Sequence, residues 1–287
     1  MLELNTPTIN LPMAQLLIHS MSEFAWLILP CLEIAEAKSV CEIGAEFGGM
    51  SKRLADYCAR QGGRLTSIDP HPKPEFLTWV QEHSAVDHLA STSLEALPGL
   101  SGIDAFVVDG DHNYYTVLNE LRLIESLCRA EGRPMLVFLH DVGWPCDRRD
   151  LYYSPDSIPE AHRHPYHWDA GITLDDSGHR MHRGFRGCGN WAPALHAGGP
   201  KNGVLTAIDD FTDDMRAEGR LMAYANLPAV FGLGVLFDAQ APFAERLSTL
   251  LLPHHNNPLL AELELNRLRN YLAVIDWQDR AADPSAA

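Results

Sequence analysis

The sequence predicts an α/β fold, a mostly parallel sheet with helices on both faces, and three observations predict it. Short apolar runs at 39–43, 64–68, 103–108 and 134–139 alternate with amphipathic segments at 49–60, 74–82 and 113–130. Such a strand-then-helix succession is what parallel pairing requires, because a crossover is needed to bring the chain back to the same edge. Glycines stand where the first run gives way to its helix, and ionisable residues close the later runs. A chain of 287 residues, 46% of them apolar, can bury one sizeable core, so a single elaborated domain over 1–287 is expected.

The elements follow in order. Residues 12–37 carry apolar side chains at helical spacing, and Pro30 predicts a break into two short N-terminal helices over 1–37. The alternating core spans 38–142, with a weaker strand at 85–91. Residues 143–202 break the rhythm, being rich in Pro, Gly, His, Arg, Tyr and Trp with no sustained period. A long irregular stretch inside a compact domain predicts a lid or substrate-binding insertion. The remainder, 203–287, opens with a helix at 203–217 and continues with strands at 220–226 and 231–237 around Pro228. Those strands are spaced as an antiparallel pair, and two helices within 241–277, separated by Pro253 to Pro258, complete the chain. The tail from Ala281 is expected to fray.

A formal charge of −16, from 38 acidic against 22 basic residues, argues against nucleic acid or an anionic membrane as partner and makes a small-molecule substrate the default. Six cysteines occur without a CxxC pair, which predicts free thiols in a reducing compartment. The most apolar stretch, 15–36, is interrupted by His19, Ser20, Ser22, Glu23 and Glu33, so neither a membrane span nor an export signal is expected and a cytoplasmic location is. Oligomeric state stays open, with the N-terminal helices and the C-terminal pair as faces on which a second copy can pack to form a homo-oligomer.

Chemistry concentrates at strand ends. The first strand runs into Glu42-Ile-Gly44-Ala45-Glu46-Phe-Gly48-Gly49, where glycine lets the backbone approach a ligand and the helix beginning near Gly49 directs free N–H groups toward it. The spacing is not the GxGxxG of a dinucleotide site, and taken alone it is equally an ordinary strand-to-helix turn. The second strand ends at Asp69, 25 residues after Gly44, where a βαβ unit places the acid that binds ribose hydroxyls; a plain turn aspartate before Pro70 is the alternative. A third segment, Phe106-Val-Val-Asp109-Gly-Asp111-His112-Asn-Tyr-Tyr115, packs two acids and a histidine at a strand end. The next strand closes with Phe138-Leu-His140-Asp141-Val-Gly-Trp144, so neighbouring strands present Asp109 and the His140–Asp141 pair to one crevice.

The ExGxxxG spacing from Glu42 to Gly48 resembles motif I of the class I S-adenosylmethionine-dependent methyltransferases. The two later strand ends resemble the metal-dependent small-molecule O-methyltransferases, of the catechol type and more closely of the group acting on macrolide and aminocoumarin sugars. The resemblance covers roughly 38–142 and implies a Rossmann-like class I methyltransferase sheet, mostly parallel with a C-terminal antiparallel hairpin. It implies S-adenosylmethionine as cofactor, with Glu42 helping to hold its amino-acid part. Gly44, Ala45, Glu46, Gly48, Asp69 and Asp109 would surround the cofactor, and Ser93 would lie in the loop on its adenine side. It also implies a divalent metal, Mg²⁺ or similar, with Asp109 and Asp141 as ligands and His140 at the third position, where that group more often has a carboxylate. Imidazole is a poor Mg²⁺ ligand, so the metal is held through fewer carboxylates, or is softer, or is not required.

Methyl transfer from a sulfonium is an in-line displacement that needs alignment, exclusion of water and removal of the acceptor's proton. Asp111 and His112 are the candidate general bases, His112 being favoured because imidazole titrates near neutrality; Asp111 serves equally well as an N-cap of the following helix. For His140 the plainer role is a buried, hydrogen-bonded strand-end histidine. In the insertion, Arg148, Arg149, Tyr152 and Tyr153 can close over a substrate or form a solvated loop. Histidines 162, 164, 167, 179, 182 and 196 match no zinc spacing and are read as incidental. Asn202 is expected to cap the helix at 203. The leading function is O-methylation of a natural-product hydroxyl; N- or C-methylation without a metal, a methyltransferase fold repurposed with its cofactor bound, and a dehydrogenase are the rivals.

Overall fold

A computed structural model describes residues 20–282. A 3-10 turn at Met21–Phe24, closed by a capping box between Ser20 and Glu23, runs directly into helix α1, Ala25–Ile34. The alternating core follows as β1 Val40–Ile43, α2 Gly49–Gln61, β2 Leu65–Ile68, α3 Pro74–Gln81, β3 Val86–Leu89, α4 Ser93–Ala96, β4 Ala105–Val108, α5 Tyr114–Ala130 and β5 Leu136–His140. The insertion carries four two-residue strands, β6 Leu151–Tyr152, β7 Ala170–Gly171, β8 Arg180–Met181 and β9 Ala192–Pro193. The chain continues through α6 Val204–Ala217, β10 Met222–Leu227, β11 Leu233–Asp238, α7 Ala244–Leu251 and α8 Pro258–Ala282.

The main sheet has the order β3-β2-β1-β4-β5-β11-β10. Its first five strands pair in parallel, and β11 lies antiparallel between β5 and β10. Strands β1, β4 and β5 are buried along their whole length, as continuous apolar runs should be when helices cover both faces. On one face Leu27, Ile28, Leu54 and Leu247 pack on Val40, Val107, Phe138 and Val235. On the other, Val117, Leu121, Ile124, Ile208 and Phe211 pack on Cys41, Phe106, Val108 and Leu139. The alternation of Phe106, Val107 and Val108 between the two faces is the period-two geometry of a strand. Because the chain leaves β3 at one edge and returns beside β1 as β4, the strand order reverses there. The carboxyl ends of β1 and β4 therefore flank the crevice where open α/β sheets take their ligands.

Two sequence expectations need correction. Pro30 does not divide two helices: α1 runs through it. The carbonyl that Pro30 leaves without an N–H partner belongs to Trp26, on the exposed side of the helix, where water can satisfy it. The part of that expectation before residue 20, and the tail from 283, lie outside the described residues. The cap of α6 is Gly203 rather than Asn202, whose side chain instead accepts from the Asp150 N–H at 2.8 Å and donates to the carbonyls of His196 and Gly198.

The insertion is a packed layer instead of an open loop. Strand β6 pairs with β9 and β7 with β8, and the Leu151 N–H donates to the carbonyl of His112 at 2.9 Å. Asp150, fully buried, is its anchor. One carboxylate oxygen accepts from the N–H of Tyr114 (2.8 Å) and of Gly203 (2.7 Å), at the starts of α5 and α6, and the other accepts from the Tyr152 hydroxyl (2.7 Å). An anion suits two helix N-termini, and its removal strands several buried donors. Asp150→Ala is therefore expected to cost about 3 kcal/mol or more, read as a lower urea midpoint at unchanged slope. Helix α8 adds a clasp through ion pairs of Arg183 with Asp276 and Arg186 with Asp279.

Candidate active site

The loop after β1 is shaped by a close crossing of backbones. Gly44 has φ +90°, and a Cβ there would stand 2.1 Å from the carbonyl oxygen of Asp109 at the end of β4. Only glycine permits both the left-handed turn and the approach. Asp69, ending β2, fixes the same loop: one of its oxygens accepts from the N–H groups of Ala45 and Glu46, each at 2.9 Å, and the other from that of His71. Glu42 is buried beneath the loop and accepts from the hydroxyls of Ser51 (2.6 Å) and Ser67 (2.8 Å). Burial raises its carboxyl to about 7, against the opposing pull of those two hydrogen bonds. Gly48 caps α2 in the left-handed conformation. Ser93, at the start of α4, is turned inward and donates to Glu120 at 2.5 Å.

Beside this loop the ends of β4 and β5 bring Asp109, His112, His140 and Asp141 together. His140 Nδ1 lies 3.0 Å from Asp141 Oδ2 and 3.2 Å from Asp109 Oδ1. His112 Nε2 lies 3.0 Å from Asp141 Oδ2 and 3.8 Å from Asp109 Oδ1. Asp141 reaches both rings because its backbone takes a left-handed φ of +62° straight after the strand, a conformation that costs a non-glycine residue energy and is held by its surroundings. Its second oxygen accepts from the Cys146 thiol at 3.3 Å. The His140 ring stacks on Phe231, brought in by the turn between β10 and β11, and meets Phe24 edge-on.

The electrostatics follow from this packing. Burial works against charge on Asp141, yet the imidazoles of His112 and His140 hold its carboxyl far below the usual range, and His140 does the same more weakly for Asp109. In return, and again against burial, the carboxylates push His140 up to about 10 and His112 well above the ordinary imidazole range. The two acids thus carry charge and each has an imidazole within reach.

Of the two candidate bases, only His112 joins this cluster. Asp111 turns toward α5, where it accepts from the Thr116 hydroxyl (2.9 Å) and the His112 N–H (3.1 Å). It is not the N-cap of α5, a role taken by Asn113, whose side chain accepts from the Thr116 N–H. In the insertion, Tyr153 lies edge-on to His112 with ring centroids 5.3 Å apart. The other three residues proposed for substrate contact are engaged elsewhere. Arg149 is buried and donates to the carbonyls of Ala194, Ser177 and Gly178, Tyr152 donates to Asp150, and Arg148 pairs with Asp209 at 2.7 Å. No metal-ligating group among the described residues includes an insertion histidine. Sequence reasoning missed Cys146, Phe231 and Glu120. Glu120 is wholly buried, and burial lifts its carboxyl to about 8 despite the Ser93 hydroxyl; its place seven residues into an amphipathic helix gave no signal.

Mg²⁺, which the family resemblance implied, does not fit this donor set. Magnesium takes oxygen in octahedral geometry, whereas the third position here is a nitrogen, and Asp109 Oδ1 and Asp141 Oδ2 are already faced by imidazole.

Residues 41–142 match the family model for a methyltransferase domain. No curated protein matches the chain. Among solved structures, the SAH-bound methyltransferase PaMTH1 of Podospora anserina is 13% identical with a TM-score of 0.44, over 79% of this chain and 82% of that one. An O-methyltransferase from Bacillus cereus in complex with SAH is 14% identical with a TM-score of 0.47, over 78% and 85%. The O-methyltransferase TomG from Streptomyces achromogenes, involved in tomaymycin synthesis and bound to SAM, is 16% identical with a TM-score of 0.45, over 77% and 82%. Residues 41–142 thus match a methyltransferase domain, set on the mostly parallel, Rossmann-like sheet described above.

Proposed function

We propose that this chain transfers the methyl group of S-adenosylmethionine to a hydroxyl of a small natural-product-type molecule, with His112 as general base. The observation that carries the reading is His112 held by Asp141 at 3.0 Å in the crevice at the sheet's switch point. An Nε2–H given to Asp141 leaves Nδ1 with a lone pair for the acceptor's proton, the logic by which a carboxylate orients a histidine base. The carboxylates favour the protonated ring, and the sulfonium charge of the cofactor, entering the same crevice, opposes it and releases the base. Gly44 and the Ala45–Glu46 turn bound to Asp69 give the cofactor a rigid backbone to lie against. Tyr153, about half exposed beside His112, offers the acceptor a flat apolar face.

A small acceptor also suits the charge of −16, which disfavours phosphate backbones. No described helix is long and apolar enough to cross a membrane. The test is incubation of the purified protein with S-adenosylmethionine and a panel of phenolic, sugar and polyketide hydroxyl compounds, with S-adenosylhomocysteine and the acceptor's mass followed by mass spectrometry. Acceptor-dependent S-adenosylhomocysteine with a methyl ether product is expected. Turnover confined to amine or carbon acceptors, or stabilisation by NAD but not by S-adenosylmethionine in thermal melting, defeats the reading.

A further inference from the structure

We infer that the outward face of α8 is an interface on which a second copy of this chain docks, the two helices lying antiparallel. The inner face of the helix is already occupied. Leu268 is buried there, Tyr271 and Leu272 pack beside it against Val230 and Phe231, and Asp276 and Asp279 hold Arg183 and Arg186 of the insertion. Half a turn away runs a second stripe, Leu259, Leu263, Asn266, Asn270, Ala273 and Trp277, all of it exposed. Its steps of four, three, four, three and four residues are those of the a and d positions of a coiled coil, sustained over about 27 Å at 1.5 Å per residue. Leu259, Leu263 and Trp277 stand 68%, 59% and 70% exposed. The apolar surface continues past the start of α8 to Leu252, 71% exposed, and to Trp26, whose ring meets His254. Surface of this kind, contiguous and apolar, marks a contact with another protein chain.

The spacing calls for a helix as occupant, and the residues on the stripe say which one. Set antiparallel to itself about a two-fold axis level with Leu268, the stripe places Leu263 against the partner's Ala273, large against small, and Leu259 against the partner's Trp277 at either end. In the middle, Asn266 meets the partner's Asn270. Within one chain Asn270 Nδ2 donates to Asn266 Oδ1 at 3.2 Å, so Asn270 Oδ1 is left to accept from, and Asn266 Nδ2 to donate to, the facing amide of the other copy. The match is made twice, once on each side of the axis, as a self-complementary contact requires. Parallel pairing instead sets Asn266 on Asn266 and Asn270 on Asn270, donor to donor and acceptor to acceptor, and stacks Trp277 on itself. Polar layers inside a seam fix its register at a cost in affinity, so a dimer with a dissociation constant in the micromolar range is expected.

The interface rests on α8 alone and is independent of methyl transfer. Full-length protein is followed by sedimentation velocity from low micromolar to submillimolar concentration, where monomer giving way to dimer is expected. Leu263→Glu and Trp277→Glu change exposed positions and leave the inner face untouched, so far-UV circular dichroism should be unchanged while each raises the dissociation constant roughly tenfold or more. Orientation is read by cross-linking in a Cys188→Ser background, Cys188 being the exposed cysteine. Leu263→Cys combined with Ala273→Cys should oxidise to a covalent dimer, and Leu263→Cys alone should not. A chain that stays monomeric throughout, as it would if its own residues 1–19 lay on this face, overturns the inference. So does a dimer that both glutamate variants leave intact, and cross-linking by Leu263→Cys alone overturns the antiparallel arrangement.

Discussion

Replacing His112 with glutamine is expected to lower the rate of methyl transfer about 10²–10⁴-fold, the range that a positioned general base contributes. Glutamine keeps a donor for Asp141 but has no lone pair of imidazole basicity to receive the acceptor's proton. The loss should therefore fall on turnover. Affinity for S-adenosylmethionine, measured by calorimetry, should change little, because His112 contacts the acceptor side of the crevice in the proposed mechanism. Asp111→Asn is the informative companion. Its carboxyl faces Thr116 and the start of α5, so its variant should keep most of the activity. Equal losses in both variants would reassign the base to Asp111.

The second large effect is structural. Gly44→Ala forces an L side chain to φ +90° and sets its Cβ 2.1 Å from the Asp109 carbonyl oxygen, against Asp109 and Gly110 backbone atoms that cannot swing away as a side chain would. Left-handed strain of about 1–2 kcal/mol and overpacking of about 1–3 kcal/mol combine in one methyl group. A fall in melting temperature and loss of cofactor binding are expected together, since relief requires β1 and β4 to part at the crevice. Gly102→Ala is the control. It shares the positive φ, at +70°, but a Cβ there meets nothing within 4 Å, so it should show only the smaller conformational penalty.

What the sequence revealed and what it concealed divide along a physical line. Strands β1, β4 and β5 were legible because a strand covered on both faces is largely apolar along its length, and the runs at 39–43, 103–108 and 134–139 are, with Glu42 the buried exception inside β1. The gathering of Asp109, His112, His140 and Asp141 was legible because parallel neighbours must end on the same rim, which spacing alone reveals. The Asp150 anchor was not: its partners Tyr114 and Gly203 lie 36 and 53 residues away, and the contacts are made by backbone N–H groups that carry no side-chain signature. Arg149 shows the same limit. A surface-type residue in a polar stretch reads as a substrate contact or as part of a solvated loop, yet here it is buried and spends its donors on loop carbonyls. Pro30 inside α1 was hidden because a proline's cost depends on which face of the helix it leaves bare.

The double capping by Asp150 sets where acceptor preference can be re-engineered. That carboxylate, with the Leu151 N–H bound to the carbonyl of His112, makes residues 150–152 part of the framework that positions His112, the proposed base. A graft from a homologous enzyme that begins at the obvious sequence boundary near 143 would carry this joint away with it. Exchanges confined to the span between Tyr153 and the start of β9 would change the insertion beside His112, where the proposed acceptor would lie, and keep the hinge pin in its socket.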